Sequence, residues 1–464
     1  MHYLRYLKQE PGFYRSALLL MIPMILQNFV TNCMQLADTF MVGALGEVEL
    51  AAVTMANSLF FVLSLMIFGI QSGASVLVAQ YNGRDNKEAI NRVMGMGYYV
   101  SLSLTTVVAL ASFFFPREIM RIITNNPLLI EPGADYMRIV GFSYIAMSIS
   151  GIYISVQRSM ENPKLGAYLL TFSGCLNIFL NYMFIFGKLG APAMGCAGAA
   201  LATLISRMFE VVVVAIYATR SRNLPFMPKK LLCPGKIIAR DFAKYSLPVI
   251  CNEGLWSFAV ALYSVIMGHM ANNTPIVAAY TIAGNVDRLV AVALFAAGNA
   301  AAVIIGREIG RKADKESLYS KGVALNLLCL ATGIVTGCVL LLVRAFVVDA
   351  YVFPLLNMSA EASSIAKFML LVIAIVMPLR ACNLCNVVGV FRGGGDVHYG
   401  LLVDVLPMYL LTVPATALTA LLLGCDIRIV YICMSLDEIV KIFLCLPRLR
   451  NGKWINSVTR DEIA

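Results

Sequence analysis

The sequence predicts an all-α polytopic membrane protein: twelve transmembrane helices in two six-helix lobes, related by a pseudo-two-fold axis along the membrane normal. Three observations carry this expectation, namely a chain of long apolar runs, a lopsided distribution of basic residues, and a repeat of the whole pattern about halfway along. Hydrophobic residues fill 59% of the 464 positions and charged residues 13%, whereas a soluble chain needs roughly 25% charge to cover its surface. A bilayer core about 30 Å thick takes about 20 apolar residues per helix. Such runs follow one another from Ser16 to Leu446 and leave no room for a separate soluble domain.

The expected spans are 16–42, 51–80, 94–115, 136–157, 166–186, 195–219, 243–268, 276–305, 321–346, 364–388, 399–422 and 427–446. Arg5, Lys8 and Arg15 precede the first run as they would in a signal peptide, but the apolar stretch continues through Met41 with no small-residue cleavage site, so it reads as the first membrane helix. Lys and Arg concentrate at the two ends of the chain and in the loops after even-numbered helices. Because cytoplasmic loops retain positive charge, the chain is expected in the cell membrane with both termini on the cytoplasmic side. The net charge of +10 is then expected to face anionic lipid headgroups rather than nucleic acid.

The repeat shows in matched landmarks. Pro23, Gly43 and Leu50-Ala51-Ala52-Val53 return as Pro248, Gly268 and Val277-Ala278-Ala279-Tyr280, at separations of 225 to 227 residues. Asn82-Gly83-Arg84 and Lys87-Glu88 return as Ile309-Gly310-Arg311 and Lys315-Glu316, and Arg158 returns as Arg392. An even number of spans per half makes both halves enter from the same side, the arrangement of transporters with parallel repeats. The expected organisation is a lobe over 1–219, a basic cytoplasmic linker over 220–242 and a second lobe over 243–464. The joint from Thr219 to Arg240 holds Arg220, Arg222, Lys229, Lys230, Lys236 and Arg240 with no acid.

Ionisable side chains inside a bilayer are costly and therefore mark functional positions or structural ion pairs. Those in the spans include the acids Asp38, Glu210, Glu253, Asp287, Asp404, Asp437 and Glu438. Glu210 lies three residues after Arg207 and Glu438 three before Lys441, a spacing that places structural partners on one helix face. Asp38 has no cation at any such position, so its carboxylate must be protonated, hydrated, or paired with a coupling ion or another helix. Rise per residue places Glu253 and Arg380 at similar depths, where they are expected to meet. Asp287 and Arg288 are adjacent, point about 100° apart, and each needs a partner elsewhere. At the repeat separation Asp38 corresponds to Tyr263 and Glu253 to Asn28, so neither acid belongs to the duplicated scaffold.

Other chemistry is thin. His2, His269 and His398 lack paired-ligand spacing, and neither a P-loop nor G-x-S-x-G is present. Gly393-Gly394-Gly395-Asp396 reads as a turn leading into the eleventh helix. The twelve cysteines, mostly within apolar runs, read as packing residues. An intramembrane enzyme is thereby disfavoured, no cofactor is expected, and the energy must come from a proton or sodium gradient.

Against this background the chain resembles the multidrug and toxic compound extrusion (MATE) family, particularly its prokaryotic DNA-damage-inducible branch. The residues that carry the likeness are Leu36-Ala37-Asp38-Thr39-Phe40-Met41-Val42-Gly43, Asn162-Pro163, Leu176 through Tyr182, Gly198 through Thr203, Asn383 through Asp396, and Lys453-Trp454-Ile455. The resemblance implies a V-shaped pair of six-helix lobes and antiport of drug-like organic molecules against protons or sodium. It places a first-lobe ion-coupling site, with sodium as a candidate ligand, on Asp38, Asn177, Asn181 and Thr203. Asparagine at 181, where many relatives carry aspartate, leaves one carboxylate there and favours the proton. Second-lobe polar and substrate candidates are Glu253, Asp287, Arg288, Arg380 and Asn383. The implied partners are a small-molecule substrate and membrane lipid, with the chain acting as a monomer. The alternative is a flippase for lipid-linked saccharide, for which Arg288 and Arg380 would supply basic groups.

Overall fold

The computed structural model describes residues 6, 8–270, 273–353 and 358–460, and no strand occurs among them. The first half runs through α1 (Phe13–Gly43), α2 (Glu47–Gly83), α3 (Lys87–Phe114), α4 (Pro116–Ile123), α5 (Pro127–Ser159), α6 (Lys164–Phe186) and α7 (Gly195–Arg220). The short α8 (Pro228–Leu232) leads to α9 (Lys236–Gly268) and α10 (Asn273–Gly310). Next come α11 (Lys315–Val348), α12 (Ala360–Phe391) and α13 (Val397–Leu422), each passing partly through wider π-type turns. The chain closes with α14 (Ile427–Cys433) and α15 (Leu436–Asn451).

Eleven of the described helices are long and apolar enough to cross a membrane. The twelfth expected span is interrupted, because a turn at Met434 and Ser435 separates α14 from α15. The sequence explains the break: Asp437 and Glu438 occupy the first turn of α15, where acids complement the exposed amides of a new helix. Two short helices were not expected. Pro116 starts α4, and its missing N–H costs nothing at a first helical position. Pro228 does the same for α8.

The chain divides into two compact units, one comprising 1–22 with 251–459 and the other 23–250 with 460–464. The cuts fall within α1 and α9, beside the matched prolines Pro23 and Pro248 rather than at the loop boundaries expected at 219 and 243. A helical proline leaves a carbonyl unpaired and loosens the helix at that turn. The unit of 23–250, the N-unit, has its core around Met120, Met137, Tyr144 and Ala200. The C-unit, 251–459 with the first residues, is centred on Met267, Leu340, Met369 and Met377.

The stretch expected as a linker is docked on α3. Asn91 Nδ2 donates to the Pro225 carbonyl at 3.1 Å and the Tyr99 hydroxyl to the Leu232 carbonyl at 2.6 Å. Lys230 reaches Glu88 at 2.7 Å. The tail is tied equally firmly, since Arg460 grips both carboxylate oxygens of buried Asp241 at 2.6 Å.

The duplication persists at the level of single backbone torsions. Asp85 and Lys312, 227 residues apart, both take left-handed φ values, of 55° and 58°. The following amides, of Asn86 and Ala313, donate to Tyr81 and Glu308 carbonyls at 3.1 Å each. In the second pair of loops Glu161 and Gly395 are left-handed at 65° and 77°. There the amides of Asn162 and Asp396 return to Gln157 and Phe391 at 2.9 and 2.8 Å. Both members of the second set are displaced by 234 residues, the separation already seen between Arg158 and Arg392.

Candidate functional site

Within the N-unit a polar cluster forms where α1, α6 and α7 meet. Gly174, Asn177 and Asn181 share one face of α6 by their spacing, and Met34 and Asp38 share one face of α1. A Cβ at Gly174 would overlap the Met34 sulfur, so glycine lets α1 approach and brings Asp38 to the asparagines. Asn181 Nδ2 donates to Asp38 Oδ1 and also lies 3.3 Å from Asn177 Oδ1. Asn177 Nδ2 reaches Thr203 Oγ1 of α7 at 3.4 Å. The four residues expected to share a site are thus joined in one hydrogen-bonded chain. Asp38 has no ion pair among the described residues, and the buried Asn181 Oδ1 has no hydrogen-bond partner among them.

The cluster opens into a cavity of about 360 Å³, lined among others by Asp38, Asn177, Thr203, Asn57, Phe60 and Tyr144. Phe60 stacks on Tyr144 with ring centroids 5.5 Å apart. Tyr136 donates to Asn57 Oδ1 at 3.2 Å across the α2–α5 contact. Sequence reading did not single out Asn57, Tyr136 or Tyr144; the amide of Asn57 within an apolar helix was the available signal. Arg207 also lines the cavity. Its Nη1 donates at 2.8 Å to Glu210, which is fully buried and accepts from Ser173 at 2.7 Å and Ser150 at 2.9 Å. The expected Arg207–Glu210 pair is therefore present, with the carboxylate saturated by donors.

The C-unit handles its charges differently. Glu253 does not meet Arg380: it pairs with Arg392 at 2.8 Å, and Arg380 grips both oxygens of Asp287 at 2.8 and 2.9 Å. Rise along a helix gives depth but not the direction in which a side chain faces, and Arg392, just beyond Phe391 at the end of α12, is the arginine that reaches Glu253. The expected Glu438–Lys441 pair is replaced too. Lys441 Nζ lies 2.8 Å from both Asp404 and Asp437, and Asn252 donates to Asp404 at 3.0 Å. Glu438 instead accepts from Asn383 Nδ2 at 2.7 Å. Arg288 is exposed and has no ion pair among the described residues. Of the five second-lobe candidates the structure brings together Asp287 and Arg380, while Glu253 and Asn383 take other partners. Among the described residues no group of three or more His, Cys, Asp and Glu side chains can hold a metal ion.

A duplicated, polytopic helical fold with a polar cavity inside one unit is the architecture of transporters built from parallel repeats. The MatE family model matches residues 23–183 and again 248–418, one copy in each half. Among curated relatives, the probable multidrug resistance protein YoeA of Bacillus subtilis is 26% identical over 88% of this chain and 87% of its own length. The probable multidrug resistance protein NorM of Thermotoga maritima is 23% identical over 99% and 97%. A solved MOP superfamily transporter from Pyrococcus furiosus, described as having a binding pocket of reverse polarity, superposes with TM-score 0.85 at 20% identity, covering 98% of this chain and 99% of that one. An outward-facing multidrug resistance MATE transporter gives TM-score 0.84 at 19% identity, with 96% and 97% covered. The chain belongs to the MatE family of multi-pass membrane transporters.

Proposed function

We propose that this chain is a secondary active exporter that moves small amphipathic, drug-like molecules across the cell membrane by alternating access, in exchange for protons. One observation carries the reading: Asp38 lines an aromatic cavity with its carboxylate held by an amide and not by a cation. A carboxylate so placed can exchange a proton, and proton and substrate then compete for one site. Relatives named as multidrug resistance proteins support the substrate class. Asn177, Asn181 and Thr203 position Asp38, and their oxygens make sodium the second candidate ion. The flippase reading gains nothing from the cavity, whose lining includes one cation, Arg207.

The test is efflux of a cationic dye from vesicles under a pH gradient and, separately, a sodium gradient, for wild type and Asp38→Asn. Asp38→Asn is expected to stay inserted, bind dye and lose gradient-driven efflux. Undiminished efflux by the variant under both gradients overturns the assignment. We place both termini in the cytoplasm, so a cysteine introduced at Asn223 in a cysteine-free background labels from the inside only.

A further inference from the structure

We propose that Arg158 and the hydroxyls of Ser75, Ser155 and Ser159 form a resident site for a small monovalent anion in the N-unit, the ligand standing where the C-unit has the carboxylate of Glu253. The site is separate from the cavity around Asp38. In the C-unit Arg392 lies 2.8 Å from Glu253. At the repeat separations of 234 and 225 their counterparts are Arg158 and Asn28, so the N-unit keeps the guanidinium and has a neutral amide in place of the anion. Arg158 is half-buried, donates from Nη2 to Ser155 Oγ at 3.3 Å, and has no ion pair among the described residues. The same helices meet in both units. A Cβ at Gly166 of α6 would lie 2.6 Å from Ile154 of α5 and 2.8 Å from Gln27 of α1, which brings the turn before Arg158 to the residue beside Asn28. Asn252, the residue beside Glu253, likewise reaches from α9 to Asp404 of α13.

The surroundings of the two arginines point to a ligand. Ser75, Ser155 and Ser159 correspond at the repeat separations to Ala302, Gly389 and Gly393. The match is spatial as well: Ser159 Oγ donates to Ser75 Oγ at 2.9 Å, and a Cβ at Gly393 would lie 3.0 Å from Ala302 Cα. Ser75 and Ser155 Oγ are 3.2 Å apart. The unit with its own carboxylate thus surrounds the arginine with residues that have no polar side chain, and the unit without one supplies three hydroxyls. A hydroxyl turns its proton to suit a partner, and a guanidinium carries five N–H donors in a planar fork. A partly buried charge without a counter-charge is costly, and a bound anion relieves Arg158 as Glu253 relieves Arg392. The group replaced is a carboxylate head of single charge, so the ligand is chloride or a short carboxylate.

The test is the melting temperature of the purified full-length protein in detergent, at fixed sodium concentration and ionic strength, as methanesulfonate is replaced stepwise by chloride or, separately, by acetate. Wild type is expected to show a saturable rise of about 2–4 °C. A response to one anion alone identifies the ligand, and a response to both shows that the site reads charge and size; either supports the site. Arg158→Met removes the rise. Asn28→Glu supplies the carboxylate from within the chain, so it melts higher than wild type in methanesulfonate and no longer responds. Ser155→Ala/Ser159→Ala raises the half-saturating concentration about tenfold, the scale of one charge-assisted hydrogen bond. No anion dependence in wild type, or an undiminished rise in Arg158→Met, overturns the site. Should Arg158→Met fail to fold, Asn28→Glu decides, and an undiminished rise there overturns it. The readout involves no transport, so its failure leaves the exporter reading standing.

Discussion

The N-unit and the C-unit solve the same electrostatic problem in opposite ways. In the C-unit the acids Glu253, Asp287, Asp404 and Asp437 each have a basic side chain within 2.8 Å. In the N-unit Glu210 is locked to Arg207, while Asp38 has an amide for company. The duplicated positions make the contrast sharp. Where the N-unit has Asp38 the C-unit has Tyr263, and where the C-unit has Glu253 the N-unit has Asn28. Arg392 holds Glu253, but its counterpart Arg158 hydrogen-bonds Ser155 at 3.3 Å. Fixed ion pairs resist change because separating them costs several kcal/mol per stranded charge. A carboxylate held by neutral groups can change protonation state. The contrast has one exception in the C-unit, since Glu438, like Asp38, is held by an amide, that of Asn383.

The contrast breaks most visibly at Lys441. Lys441→Met strands the buried Asp437 and the half-buried Asp404 and is expected to cost about 3–5 kcal/mol, read as a large fall in melting temperature in detergent. The triple change with Asp404→Asn and Asp437→Asn recovers most of the loss; no recovery would show that the ammonium acts through packing alone. Next in size is the Glu253–Arg392 pair. A double-mutant cycle with Glu253→Gln and Arg392→Met is expected to give a coupling of about 1–3 kcal/mol, and a cycle between Glu253 and Arg380 about zero. Equal couplings would merge the separate pairs into one network. Asp38→Asn is expected to shift stability by less than about 1 kcal/mol, since it leaves no charge unpaired. A drop comparable to that of Lys441→Met would make Asp38 a fixed charge after all. The loop pair offers a comparison of backbone alone. Gly395→Ala meets Val458 at 2.6 Å with φ at +77° and should cost about 1–2 kcal/mol, whereas Glu161→Gly should be near neutral.

How far the sequence revealed this arrangement differs between residues. Eleven of the spans follow from apolar length, because a bilayer sets a minimum run. The pairing of Arg207 with Glu210 follows from helix spacing, since both lie on one element. The meeting of Asp38, Asn177, Asn181 and Thr203 was legible through family resemblance and not through spacing. Pairs between helices escaped. Rise per residue gives a depth along the axis but not the rotation of the helix. Glu253 and Arg380 therefore looked matched although Arg392 and Asp287 are their partners. The π-type turns of α12, over Cys385–Phe391, have no simple sequence mark. The break before α15 was readable in retrospect, from two consecutive acids at a helix start.

The left-handed residues of the paired loops have one more consequence. Asp85 and Lys312 share a torsion and the next amide shares a hydrogen bond, although their side chains carry opposite charge. Backbone shape there has outlasted side-chain identity since the ancestral gene doubled. The six-residue segments 82–87 and 309–314 are in that sense interchangeable parts, a joint whose form was inherited while its chemistry was left free to drift. Grafting one hairpin bend into the other's place should leave the flanking helices in register, and a chimera built at these joints inherits its geometry ready-made.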